Sequence, residues 1–260
     1  MSCGSNCACA PKKEVKPLNS TKVKKIIAIL SGKGGVGKSL TTSLLAIKLA
    51  RNNKKVGIID ADILGPSIPR MFGLEESSIY GDEMGVYPVI SKKLGIKIVS
   101  INMMMGDEQE PALWRGPIIT NMLNQFYRDV YWEELDYLLI DMPPGTGDTA
   151  LTIFKDIPVD EIIMVTTPSK LVNMIVGKAI NMAKTLEIPI KGIIENMAYI
   201  KDTNQNLYAA SSSETLAAYH DLEVIETIPL DRDLALYSDN GNLEELEFNY
   251  LDFLVKNFGE

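Results

Sequence analysis

The chain has 260 residues, 46% hydrophobic and 23% charged, which is enough apolar material to bury a sizeable core. Its 34 acidic residues outnumber 26 basic ones, and the net charge of −8 argues against nucleic acid as the main partner, because phosphate backbones are bound by clustered Lys and Arg. No apolar run approaches the roughly 20 residues that span a bilayer, and Met1-Ser2-Cys3-Gly4 lacks the layout of a secretion signal, so a cytoplasmic protein without a membrane partner is expected.

Residues 1–24 read as a flexible tail. It holds all three cysteines, Cys3, Cys7 and Cys9, followed by the lysine- and proline-bearing stretch Pro11–Pro17. In a reducing compartment such a cluster suits a metal site or a reactive tail better than a disulfide framework. Residues 25–260 change character, with short β-branched runs alternating with longer amphipathic segments. The spacing predicts strands over Ile26–Leu30, Val56–Ile59, Ile96–Ile101, Tyr137–Ile140, Glu161–Thr166, Ile190–Ile194 and Val224–Ile228. It predicts helices over Lys38–Asn52, Ile118–Val130, Thr149–Phe154, Leu171–Leu186, Ser213–His220 and Leu243–Phe258. Near-continuous apolar strands are covered on both faces. The expected fold is therefore α/β, a single doubly wound, mostly parallel sheet with helices on both faces. In the last helix Leu243, Leu246, Tyr250, Leu254 and Phe258 fall close to one side. The other side carries Glu244, Glu245, Glu247 and Asp252, which anionic lipid would repel, so this stripe is expected to pack on the core.

The first strand runs into Gly32-Lys33-Gly34-Gly35-Val36-Gly37-Lys38-Ser39 and then a helix, the G-x-x-x-x-G-K-[ST] phosphate cradle in its required context. Glycines let backbone N–H groups turn inward around phosphate oxygens, and the helix N-terminus adds its positive end. Lys38 is expected to neutralise charge on the β- and γ-phosphates of ATP, and Ser39 to offer its hydroxyl to Mg²⁺. The strand Val56–Ile59 ends in Asp60-Ala61-Asp62, and Tyr137–Ile140 ends in Asp141. Asp60 and Asp141 are candidates for holding Mg²⁺ and Asp62 for orienting the attacking water, although either strand-end Asp alone could be a loop cap. Pro143-Pro144-Gly145-Thr146-Gly147-Asp148 looks like a γ-phosphate sensing loop. Asn196, in Glu195-Asn196-Met197, carries the donor and acceptor that an adenine edge requires, or caps a turn. His220, beside Tyr219, reads as a packing or surface residue rather than a ligand.

With these residues in hand, the chain resembles the Mrp/ApbC-type iron–sulfur cluster carrier ATPases, relatives of MinD, ParA and the nitrogenase iron protein. The resemblance runs from about Lys25 to about Asn242. It rests on Gly32–Ser39, Asp60–Pro69, Trp114–Pro117, Asp141–Asp148, Glu195–Met197 and Ile228–Asp231. It implies a P-loop ATPase that binds ATP as a homodimer, hydrolyses it slowly, holds a labile [4Fe–4S] cluster and hands it to apo iron–sulfur proteins. It also implies that Lys33, the second lysine of the loop, reaches the partner subunit's phosphates, and it tips Asn196 toward adenine. One departure stands out: the family's Cys-x-x-Cys pair shortly after Glu-Asn-Met is missing, and residues 198–208 hold no cysteine. Thiolates are the ordinary ligands of such clusters, which leaves Cys3, Cys7 and Cys9 as the candidate iron–sulfur ligands. The rival expectation is a MinD/ParA-like positioning or regulatory ATPase without a metal cluster.

Overall fold

The computed structural model describes residues 21–258 except 63–64, 66, 76, 83–84, 105–115 and 209–211. In chain order the elements are β1 (Lys22–Ser31), α1 (Lys38–Arg51), β2 (Val56–Asp60), α2 (Ile68–Met71), β3 (Tyr80–Asp82), β4 (Gly85–Tyr87), β5 (Val89–Ile90) and β6 (Lys97–Ser100). There follow α3 (Gly116–Arg128), β7 (Glu134–Asp141), α4 (Asp148–Asp156), β8 (Glu161–Thr166), α5 (Lys170–Thr185), β9 (Ile190–Ile200) and β10 (Gln205–Asn206). The chain closes with α6 (Ser213–Tyr219), β11 (Val224–Leu230), α7 (Arg232–Asp239) and α8 (Asp252–Lys256).

Among the described residues nine strands form one sheet in the order β10-β9-β8-β1-β7-β2-β6-β5, with β11 also on β9. Only the β5–β6 and β9–β10 pairs in it are antiparallel. Within the unbroken apolar run of β1, Ile26, Ala28 and Leu30 face α3 to α6, while Ile27 and Ile29 face α1, α2, α7 and α8. That two-residue alternation inside an all-apolar strand is what burial on both faces demands. The doubly wound, mostly parallel sheet expected from the sequence is thus the one observed. β1 begins at Lys22, earlier than the strand expected from Ile26.

Register brings chemistry to one edge. Asp141 at the end of β7 pairs with Asp60 at the end of β2, and Ile29 of β1 stands opposite Asp141. The loop after β1 therefore opens beside two strand-end carboxylates, at the carboxyl edge where ligands bind open α/β sheets.

The expected helix Leu243–Phe258 does not form. The segment forms a 3₁₀ turn at Leu243–Glu245, an irregular stretch, and the short α8. Cations of α1 take its backbone carbonyls: Arg51 Nη2 donates to those of Glu244 (3.0 Å) and Leu246 (2.9 Å), and Lys48 Nζ to that of Phe248. Carbonyls so engaged no longer need the i+4 amides of a helix. The apolar residues still turn inward, and Leu243, Leu246, Leu254 and Phe258 are buried in the core.

Candidate active site

Lys38 opens α1, whose first turn holds no acidic residue. A cation there opposes the helix dipole, and it is only 5% exposed. Its Nζ lies 2.8 Å from Asp141 Oδ2 and 3.6 Å from Asp62 Oδ2. The buried ammonium is thus ion-paired to two carboxylates. Asp141, fully buried, also accepts from Ser39 Oγ at 2.6 Å and from Thr42 Oγ1 at 2.9 Å. Asp60 is 1% exposed and accepts from Ser100 Oγ at 3.2 Å and from the Asp62 amide at 3.2 Å. Burial, and then the neighbouring Asp141, push the Asp60 carboxyl up to about 8 against the pull of Lys38.

Two glycines of the cradle are required by close approach. A Cβ on Gly32 would stand 2.5 Å from the Val176 backbone nitrogen of α5, and one on Gly37 would stand 2.0 Å from Asn196 Nδ2. Gly37 also adopts φ 83°, a left-handed conformation that favours glycine. The Gly145 amide donates to the Ser31 carbonyl at 2.8 Å, which joins the Pro143–Asp148 loop to the base of the cradle.

Ser31, Lys33, Gly34, Gly35, Gly37, Lys38, Ser39, Asp62, Gly65, Ser67 and Pro144 are among the residues lining a cleft of about 390 Å³. Lys33 is exposed at its mouth. The structure thus brings Gly32–Ser39, Asp60, Asp62 and Asp141 together. Asn196 lies in β9 rather than in a turn, and its Nδ2 donates to the Val36 carbonyl at 2.9 Å. His220 is packed, 7% exposed, and its ring is pushed below the usual imidazole range by burial and then by Lys184. Cys3, Cys7, Cys9, Trp114 and Arg115 lie outside the described residues. Sequence reasoning missed Thr42 and Ser100, which hold the two carboxylates; Thr42 could have been found four residues after Lys38, on the same face of α1.

A buried lysine ammonium beside an open glycine cleft fits a polyphosphate. The oxygen-only donors Ser39, Asp60 and Asp141 fit Mg²⁺, which prefers hard ligands and is commonly held by one or two carboxylates plus substrate phosphate. Among the described residues no cluster of His, Cys, Asp and Glu offers an all-protein metal cage, and no helix is long and apolar enough to cross a membrane.

Residues 22–252 match the ParA family, described as NUBPL iron-transfer P-loop NTPase. An iron–sulfur cluster carrier protein of Clostridium perfringens is 44% identical over 237 residues, covering 87% of this chain and 83% of that one. The cytosolic Fe–S cluster assembly factor CFD1 of Yarrowia lipolytica is 40% identical over 235 residues, covering 86% and 81%. A solved nucleotide-binding protein of Archaeoglobus fulgidus, in complex with ADP, superposes with a TM-score of 0.77 at 42% identity, covering 89% of this chain and 91% of that one.

Proposed function

The chain belongs to this ParA family of iron-transfer P-loop NTPases, and on that premise we propose that it is an ATP-binding, ATP-hydrolysing carrier that delivers iron–sulfur clusters to apoproteins. The observation that carries the ATPase part is Lys38, a buried cation at a helix start that lines the glycine-rich cleft beside Ser39 and Asp62. The helix dipole opposes this cation while Asp141 and Asp62 hold it, and phosphate oxygens entering the cleft would meet it at the start of α1.

In the reaction, water attacks the γ-phosphorus, the bond to the β–γ bridging oxygen breaks, and ADP leaves. Backbone amides of Gly32–Ser39 cradle the phosphates, Lys38 neutralises β- and γ-phosphate charge, and Asp62, 3.6 Å from Lys38, orients the water. Ser39, Asp60 and Asp141 would hold Mg²⁺, which when bound offsets charge on the transferring phosphoryl group. Lys33 acts on the phosphates of a second copy in a homodimer. The reaction is slow and Mg²⁺-dependent, and the setting is cytosolic, as the name of the yeast relative suggests.

The names of the 44% and 40% identical relatives support the cluster-carrying part. All thiols of the chain lie at Cys3, Cys7 and Cys9, so these are the proposed ligands of the cluster, of [4Fe–4S] type. The missing Cys-x-x-Cys after Asn196 favours the rival reading, a positioning or regulatory ATPase without metal. Anaerobic reconstitution with iron and sulfide, followed by iron counting and a visible spectrum, separates them. A brown, iron-loaded protein supports the carrier; a colourless, iron-free one with intact phosphate release supports the rival.

A further inference from the structure

Asn196 reaches from β9 to the loop between β1 and α1. It is 2% exposed and its Nδ2 donates to the Val36 carbonyl at 2.9 Å. A trans peptide sets its C=O and its N–H on opposite sides. A donor that draws the Val36 carbonyl toward β9 therefore turns the Gly37 N–H away from β9, and Gly37 is one of the residues that line the cleft. No side chain can intervene, because a Cβ on Gly37 would stand 2.0 Å from the amide nitrogen.

The residue after Asn196 is also unusual. Met197 sits at φ 55° inside the strand, a left-handed conformation that a non-glycine residue keeps only where its surroundings impose it. Opposite this kink, β11 shifts register between Ile228 and Leu230. Beyond it β9 runs to Ile200 and folds back as β10, with Gln205 opposite Ile200 and Asn206 opposite Tyr199. Leu207 and Tyr208 follow directly, 42% and 45% exposed.

We propose that Asn196 is a positioning residue of the phosphate cradle, and that through Met197 it ties the cradle to the β9–β10 hairpin, so that nucleotide occupancy is transmitted to the surface at Leu207 and Tyr208. The inference rests on the cradle being a nucleotide site. It differs from an adenine-reading role, because the contact made is with loop backbone that serves the phosphates and not the base.

The test compares full-length wild type with N196A and N196D, titrated with ATP and with inorganic triphosphate, which has no base. Asp keeps the volume of Asn but turns only acceptors toward the Val36 carbonyl. Both variants should lose about 10-fold or more in affinity, by the same factor for both ligands. A loss confined to ATP would assign Asn196 to the base, and wild-type affinity in N196D would reduce it to packing; either result overturns the proposal. Hydrogen exchange on the wild type needs no variant. Amides of residues 198–208 should slow at least about twofold when ATP saturates the cleft, and unchanged exchange there overturns the link to the hairpin. A wild type that binds neither ligand sinks the ATPase reading itself, an outcome distinct from these.

Discussion

Lys38, Asp62 and Asp60 sit within one cluster yet answer to different tests. Lys38→Ala should abolish phosphate release from ATP, since no other residue of the cradle presents a buried ammonium in its place. Wild-type turnover in that variant would remove the cradle from the chemistry. Asp62→Asn should leave ATP affinity within a few fold and slow turnover, because orienting water matters only in the transition state. Lost affinity with an unchanged rate per bound nucleotide would make Asp62 a ligand or a structural residue. Asp60 concerns stability. Its carboxyl ordinarily titrates at 3.8, but burial and then Asp141 push it up to about 8 in the folded state. Between those values the folded protein holds a proton that the unfolded chain releases, so unfolding free energy falls as pH rises. The slope this adds is at most about 1.4 kcal/mol per pH unit. Without nucleotide or Mg²⁺, the wild-type urea midpoint should drop more steeply from about pH 5 to about pH 8 than that of Asp60→Asn, by the linkage just given. Equal slopes would mean that Asp60 ionises normally.

The elements legible in sequence were those whose pattern is local. β1 and α1 follow from an apolar run, a glycine loop and an amphipathic repeat, and every strand expected from a β-branched run is present. α7 was not foreseen, although Asp231 caps it by accepting from the Asp233 amide at 2.9 Å; four polar residues among its eight blur the apolar stripe. The cradle and strand-end carboxylates were readable because each is a motif on one element. The hydroxyl of Ser100 was not, because its task is defined only when β2 and β6 lie side by side. The last expected helix failed for the same reason, its helical period being real but overruled by partners far away in sequence. Glu244 shows how strongly. Its carboxylate accepts from Ser91 Oγ at 2.7 Å and from the amides of Lys93 (3.2 Å) and Leu94 (3.1 Å), and it is 8% exposed. Glu244→Ala would strand those donors, so a loss of about 2–4 kcal/mol in urea unfolding is expected. A change below about 0.5 kcal/mol, the range of an ordinary surface substitution, would show that water replaces the carboxylate there.

At the scale of the whole molecule, nucleotide chemistry and thiol chemistry are far apart in the chain. The cradle and its carboxylates lie between Gly32 and Asp141, whereas every cysteine precedes residue 10. Any cluster held by thiolates of this chain therefore depends on Cys3, Cys7 and Cys9, while none of the residues proposed for the nucleotide is a cysteine. Three thiolates per chain leave one iron of a cubane without a cysteine, so the proposed site borrows from a second copy, takes an external thiol, or stays labile, and lability suits a carrier. His220, the chain's one histidine, is buried and packed against Gly177. Twelve peptide units separate Cys9 from Thr21, so that stretch reaches no farther than about 40 Å. The triple Cys→Ala variant should accordingly keep wild-type phosphate release and lose both reconstituted iron and visible absorbance. Loss of both activities together would tie the tail to the nucleotide site. Equal iron in variant and wild type would mean that bound iron is adventitious or held by oxygen and nitrogen ligands, and the carrier reading would then have no thiolate chemistry beneath it.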